Sequence, residues 1–303
     1  MAARIIDGRK AAEEIRGELA SRIAALAARG LVPGLAVILV GEDPASISYV
    51  TGKERSCREL GIASLGRHLP SDTKESDLID LIREYDDDPS VHGILVQIPL
   101  PGHLNARRVI ESISPDKDMD GLTSVNVGRL VLEEPCYLPC TPAGVLELLR
   151  RNGVETRGAG VVVVGRSNLV GRPLMNLLAR RSVNATATLC HTGTKDLADR
   201  CREADILVAC AGSPGLIKGD MVKPGACVID VGMTRVDDPG ARRGYRLAGD
   251  VDYETASEVA GWITPVPGGV GPMTVTMLLA NAVAAAELAS AGTANVATAN
   301  AGR

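Results

Sequence analysis

The sequence predicts an α/β protein of two domains: an N-terminal three-layer α/β domain and a Rossmann-type, doubly wound parallel sheet, with a cleft between them. Three observations predict it. Short β-branched runs alternate with helical patterns along nearly the whole chain, the mark of parallel strands covered by helices. At 303 residues there is room for two cores. Four successive runs, "GVVVVG" (160–165), "ATATLC" (185–190), "DILVACAG" (205–212) and "ACVIDVG" (226–232), fit one nucleotide-binding sheet.

Taken in order, the pattern predicts a helix over 9–29, a strand "LAVILVG" at 35–41 and a helix over 46–62. A strand near 64–69, a helix near 75–85, the run "VHGILVQIPLP" (91–101) and a helix near 104–113 follow. The turn-forming stretch "SPDKDMDGLT" comes next. A helix near 142–151 opens the second group, in which the strand at 160–165 runs into the helix "GRPLMNLLARR". The last helix spans about 272–290, with Pro272 suited to its first turn. These elements assign residues 1–140 plus 272–292 to the first domain and 141–271 to the second. The Ala/Thr/Asn-rich end, 293–303, reads as a disordered tail.

Composition removes several classes of function. The chain has no Phe, one Trp and five Tyr, so stacking on single-stranded nucleic acid has little to work with. A net charge of −4 without a basic run argues against a nucleic-acid partner. No apolar run approaches the roughly 20 residues of a membrane span, and the N-terminus lacks a signal-peptide core. Seven cysteines without a CxxC pair read as reduced thiols of a cytoplasmic protein. The four histidines show no ligand spacing with them, so no metal is expected.

Two stretches carry chemistry. In "VVVVGRSNLVGRP" a strand enters a helix through Gly165, Arg166, Ser167 and Gly171. A tight turn there brings backbone N–H groups and a helix N-terminus to a pyrophosphate. The next strand ends in "LCHTGTK", without the carboxylate an NAD site places on the ribose. Thr192 and Thr194, with Arg166 and Lys195, would meet a 2′-phosphate, which favours NADP. A surface loop that merely lacks acids is the bland alternative.

The other stretch is the helix "SISYVTGKERSCRELGI", whose apolar side carries Tyr49, Lys53, Cys57 and Leu60, with Val50 beside them. An amine held on such a face is a candidate base; its alternative is a snorkelling side chain with its head in water. Gln97, at the end of the run "GILVQ", needs hydrogen-bond partners if buried, and ligands of open α/β sheets bind beyond that edge. Asp120 in "DKDMDG" reads either as a ligand carboxylate or as a turn residue before glycine.

The motifs "YVTGK", "VQIPLP", "PDKDMDG", "CTPAGV", "VVVVGRSNLVGRP" and "PVPGGVGPMTV" occur in one chain and in one order. In this the sequence resembles the bifunctional methylenetetrahydrofolate dehydrogenase/cyclohydrolase (FolD) family over about residues 4 to 290. The resemblance implies NADP-dependent oxidation of a methylene-folate, followed by hydrolysis of the methenyl product to 10-formyl-folate, in a cytoplasmic homodimer. It places Tyr49, Lys53 and Gln97 in catalysis, and Tyr49, Asp120, Pro267, Gly268 and Gly269 on the folate. It places Gly165, Arg166, Ser167, Thr192 and Met233 on the cofactor. Two departures stand out: Thr192–Gly193 where Ser and a basic residue are usual, and Met233 in "DVGMT". The competing readings are a shikimate-dehydrogenase-like enzyme and a non-catalytic NADP-sensing module.

Overall fold

The chain opens with a two-residue strand, β1 (Arg4–Ile5), and a 20-residue helix, α1 (Gly8–Ala27). The computed structural model describes residues 3–241 and 244–292. It divides into two units: Glu14–Cys140 with the chain from Val275, and the chain up to Glu13 with Thr141–Thr274. The expected tail at 293–303 lies outside the described residues.

The first unit is built on β2 (Gly34–Val40), in which all seven residues are buried, as a central parallel strand requires. Helix α2 (Pro44–Leu60) follows, then two short strands, β3 (Ala63–Ser64) and β4 (Arg67–Leu69). Both pair with β2 in one register, Gly34↔Ala63 and Ile38↔Arg67, so they are the single expected strand interrupted at Leu65–Gly66. After α3 (Glu75–Asp87), β5 (Gly93–Val96) also pairs with β2 in parallel. Ile38, Val40, Ile94 and Val96 from the sheet pack with Leu78 and Ile82 from α3. Helices α4 (Ala106–Glu111) and α5 (Ser124–Val131) complete this part, the second of them absent from the sequence expectations.

In the second unit, α6 (Cys140–Arg151) leads to β6 (Gly160–Val164), α7 (Gly171–Ala179), β7 (Thr186–Cys190), α8 (Leu197–Arg202), β8 (Ile206–Ala209) and β9 (Cys227–Asp230). A hairpin, β10 (Thr234–Asp237) and β11 (Tyr245–Ala248), α9 (Tyr253–Ser257) and β12 (Trp262–Ile263) follow. The sheet runs β1-β12-β9-β8-β6-β7 and is parallel throughout. The four expected strands form its contiguous β9-β8-β6-β7 part, with β7 at the edge. The division differs from the expected one at the N-terminus. The first 13 residues group with this unit because β1 pairs with β12, Arg4↔Trp262. In addition, α1 starts on the glycine loop: a Cβ on Gly8 would collide with the Gly269 carbonyl.

The last helix, α10 (Val270–Ser290), changes one expectation. By length and composition it is apolar enough to cross a bilayer, the one such helix among the described residues. Its polar groups are spent inside the protein: Asn281 donates to two carbonyls and Glu287 pairs with Arg22 on α1. All seven cysteines are free thiols, and six are buried.

Candidate active site

Helix α2 sets the position of the amine. Asp43 caps its N-terminus by accepting from the Ser46 N–H at 2.8 Å, Pro44 occupies the first turn, and Gly61 ends it at φ 78°. Its covered stripe is Ser46, Val50, Lys53, Ser56 and Cys57. Lys53 is only 9% exposed, so the snorkelling alternative fails. Tyr49, expected on that face, sits at its margin and is 43% exposed.

The lysine Nζ donates to Gln97 Oε1 at 2.9 Å. The glutamine follows β5 and is anchored twice. Its backbone N–H donates to the Ile38 carbonyl at 2.8 Å, and its Nε2 donates to the Ile98 carbonyl at 2.7 Å. With the amide nitrogen so engaged, the oxygen is the atom left to face the ammonium.

Asp120 reaches the same place from the loop between α4 and α5. That loop runs beside β5: the Ile94 N–H donates to the Lys117 carbonyl at 2.7 Å, and Asp118 forms a parallel bridge with Ile94. Two neighbours of Asp120 are held rigidly. The buried Asp118 carboxylate accepts from the Thr123 N–H (2.8 Å) and Asn126 Nδ2 (3.0 Å). The Met119 carbonyl accepts from Asn281 Nδ2 (2.8 Å) and from the Cys140 thiol (3.4 Å). Burial pushes the Asp120 carboxyl above its ordinary range; the nearby Lys53 ammonium opposes the rise and Asp118 adds to it. Burial, reinforced by Asp120, also raises the Cys140 thiol well above its usual value.

Sequence reasoning missed Asp118, Cys140 and Asn281. One signal was available: Asn281 is a lone amide inside the apolar run "MLLANAV", and such a group needs partners.

The second unit carries the other cluster. The turn after β6 has Gly165 at φ 130° and exposed Arg166 and Ser167. Gly171 packs so closely that a Cβ there would collide with the Gly165 carbonyl, which seats the start of α7 directly on the turn. The Arg166 and Ser167 backbone N–H groups make no hydrogen bond among the described residues. Free N–H groups at a helix start suit an anionic diphosphate.

After β7, the Thr194 hydroxyl accepts from the His191 N–H at 2.8 Å, and His191 Nδ1 accepts from the Gly193 N–H at 3.0 Å. The Thr194 hydroxyl thus caps its own turn as an acceptor, its O–H still able to donate, and Thr192 stands exposed. Met233 is 36% exposed, close to Gly271 at the start of α10. Pro267, Gly268 and Gly269 follow β12 in this same unit. Gly268 lies at φ 119°, and the Gly269 N–H donates to the Pro265 carbonyl at 2.8 Å.

Lys53, Gln97 and Asp120 thus come together in one unit, with Tyr49 one helical turn away. The Gly165 turn, Thr192, Met233 and residues 267–269 belong to the other. Among the described residues no group of three or more His, Cys, Asp or Glu side chains forms a metal cluster.

Residues 6–120 match the family model described as the tetrahydrofolate dehydrogenase/cyclohydrolase catalytic domain, and residues 139–290 the NAD(P)-binding domain of the same family. The chain is 53% identical over 287 residues to "Bifunctional protein FolD" of Moorella thermoacetica, covering 94% of this chain and 99% of the relative. The Campylobacter jejuni bifunctional enzyme FolD is similar in structure, with a TM-score of 0.90 and 44% identity over 94% of this chain and 99% of that one. The Trypanosoma brucei enzyme, solved with NADP cofactor and an inhibitor, gives a TM-score of 0.91 and 42% identity over 95% and 98%.

Proposed function

The chain belongs to the tetrahydrofolate dehydrogenase/cyclohydrolase family and carries both its catalytic and its NAD(P)-binding domain, and from this premise we propose which residues carry each step of its bifunctional chemistry. The substrate is 5,10-methylenetetrahydrofolate, and the two steps give the 5,10-methenyl and then the 10-formyl compound. Neither the shikimate-dehydrogenase-like reading nor the sensing module is favoured by the match over nearly the full length.

Bound NADP supplies the hydride acceptor. For it, the open N–H groups of Arg166 and Ser167 hold the diphosphate at the start of α7. The Arg166 guanidinium and the Thr192 hydroxyl hold the 2′-phosphate, and Met233 covers the nicotinamide side. Asp120 grips the donor-rich edge of the pterin as a carboxylate can, through paired hydrogen bonds, while Tyr49 and the loop at Pro267, Gly268 and Gly269 line the folate.

In the hydrolytic step the Lys53 amine acts in its deprotonated form: water adds to the cationic methenyl carbon, its proton passes to the free Nζ lone pair, and the ammonium so formed returns a proton to the folate nitrogen as the ring opens. Gln97 aims the amine, because its oxygen is the only end of the amide free to accept from it. One observation carries the reading: a covered lysine held 2.9 Å from a doubly anchored amide, in the field of Asp120.

The test is Lys53→Met. Hydrolysis of methenyl-folate falls by at least about 100-fold, the usual worth of a general acid–base group, while the Kd for folate changes far less. An unaltered hydrolysis rate would remove Lys53 from the mechanism. We further read the protein as a cytoplasmic homodimer with no nucleic-acid or membrane partner. Its seven free, mostly buried thiols support a reducing compartment, and sedimentation would check the dimer.

A further inference from the structure

Two aspartates in the second unit are buried, Asp230 at the end of β9 and Asp250 just past the hairpin strand β11, and the folate and cofactor roles above use neither. Asp250, at 0% exposure, accepts three successive backbone N–H groups: Ala211 (2.6 Å), Gly212 (2.9 Å) and Ser213 (2.7 Å). Asp230, at 3% exposure, holds Asp250 in turn. Its carboxylate accepts from the N–H groups of Gly232, Asp250 and Val251, each at 2.9 Å. Neither carboxylate has an ion-pair partner among the described residues.

The two motifs interlock. A Cβ on Gly232 would collide with the Asp250 carboxylate, and one on Gly249 with the Asp230 carboxylate. Each glycine leaves the space that the other motif's aspartate fills.

The turn so held lies beside the cofactor turn. It follows β8, the neighbour of β6 in the sheet. The chain leaves β6 for β7 on one side and returns to β8 on the other, which makes the β6/β8 gap the switch point where open α/β sheets bind ligands. Contact is direct: the Cys210 N–H donates to the Val164 carbonyl at 2.8 Å, and a Cβ on Gly165 would strike the Cys210 carbonyl. Three consecutive N–H groups form a concavity of the kind that binds phosphate. Here the protein fills it with its own carboxylate.

We propose that Asp250 is a positioning residue for the dinucleotide: it plugs a second anion cradle at the switch point and fixes the wall against which the Gly165–Ser167 turn is set. The diphosphate is thereby confined to the Arg166 and Ser167 N–H groups. Asp230 fixes Asp250. The diphosphate is common to both cofactors, so the effect is felt by NADP and NAD alike. This rests on cofactor binding at Gly165–Ser167, which one arm of the test reads separately.

Amide exchange of the wild-type protein supplies that arm. The 211–213 amides are protected before NADP is added and gain less than about twofold on binding, whereas the 166–167 amides gain strongly, since only they acquire a new acceptor. If 211–213 gained protection together with 166–167, the cradle would belong to the cofactor and the proposal would fall. No gain at 166–167 would sink the cofactor assignment instead.

The second arm is Asp250→Asn, which turns an amide NH₂ toward backbone donors. KM for NADP and for NAD rises by the same factor, about tenfold for one or two buried donors left unpaired, with kcat within about threefold. Hydrolysis of methenyl-folate, which needs no hydride acceptor, serves as the control. Unchanged KM values, or parallel loss of both activities, would assign Asp250 a merely structural role.

Discussion

Lys53 and Asp120 in the first unit are side chains that already have partners inside the protein, Gln97 for the amine and the Lys53 charge for the carboxylate. Arg166 and Ser167 in the second unit present backbone N–H groups that have none among the described residues. The first arrangement is a balance of charges, so changing one member alters the state of the others. The second is a shape, and what controls it is whatever fixes the neighbouring turns, down to carboxylates that never touch the ligand.

The broadest break in the first arrangement comes from Asp120→Asn, which reaches both activities. Losing two charge-assisted hydrogen bonds to the pterin lowers kcat/KM for both activities by about 100-fold, with most of the loss in KM. Its effect on stability has the opposite sign. The Asp120 carboxyl is raised by burial, so its stabilising contribution is full only below the unfolded-state pKa and is lost as pH rises through the folded one. At neutral pH the charged form is a burden, and Asp120→Asn unfolds at the same or a higher urea concentration than the parent. A lower midpoint would contradict this.

The same raised carboxyl sets an acid limb. KM for folate increases as pH falls through a value above the ordinary carboxylate range. In Lys53→Met the limb moves to still higher pH, because the opposing ammonium has gone. A KM profile that does not move between the two proteins would show that the charges are uncoupled.

The second arrangement is sharpened by Arg166→Ala, for which KM rises about tenfold for NADP and little for NAD, as loss of one charged contact to a 2′-phosphate requires. Equal effects on both cofactors would put the guanidinium on the diphosphate. The smallest effect is expected for Asn281→Leu. It removes the amide donor from the Met119 and Leu138 carbonyls, leaving Met119 only the Cys140 thiol, costing about 1–3 kcal/mol of stability, and raises KM for folate a few-fold by loosening the Asp120 loop. Urea melts paired with folate titration measure both.

What the sequence made legible follows the range of the forces involved. The strands at 34–40 and 160–164 are continuous apolar runs, and Lys53 stands out because an amine on an apolar stripe breaks a local pattern. Strands β1 and β12 have two residues each and exist only through pairing about 258 positions apart (Arg4↔Trp262), so no window of sequence contains them. Helix α5, "SVNVGRLV", is rich in valine and includes a glycine, which hides it from helix propensity. Asp118, Cys140 and Asn281 escaped because their meaning is tertiary: each acts on the backbone around Asp120 rather than on a ligand. The same holds for Asp230 and Asp250, which in sequence are ordinary strand-end acids. That Thr194 also caps its own turn was not legible, since nothing local distinguishes such a hydroxyl from one without that bond.

The seven thiols have a consequence for how the chain ages. Cys57 is pushed up to about 11 by burial, and Cys201 and Cys227 to about 12. Cys210, the one half-buried thiol, is also raised to about 12, by its partial burial and by the Asp250 charge. Peroxide attacks the thiolate, and at neutral pH a thiol titrating near 12 offers only about one part in 10⁵ in that form. These four thiols are therefore held in a chemically quiet state, and peroxide reacts with them slowly.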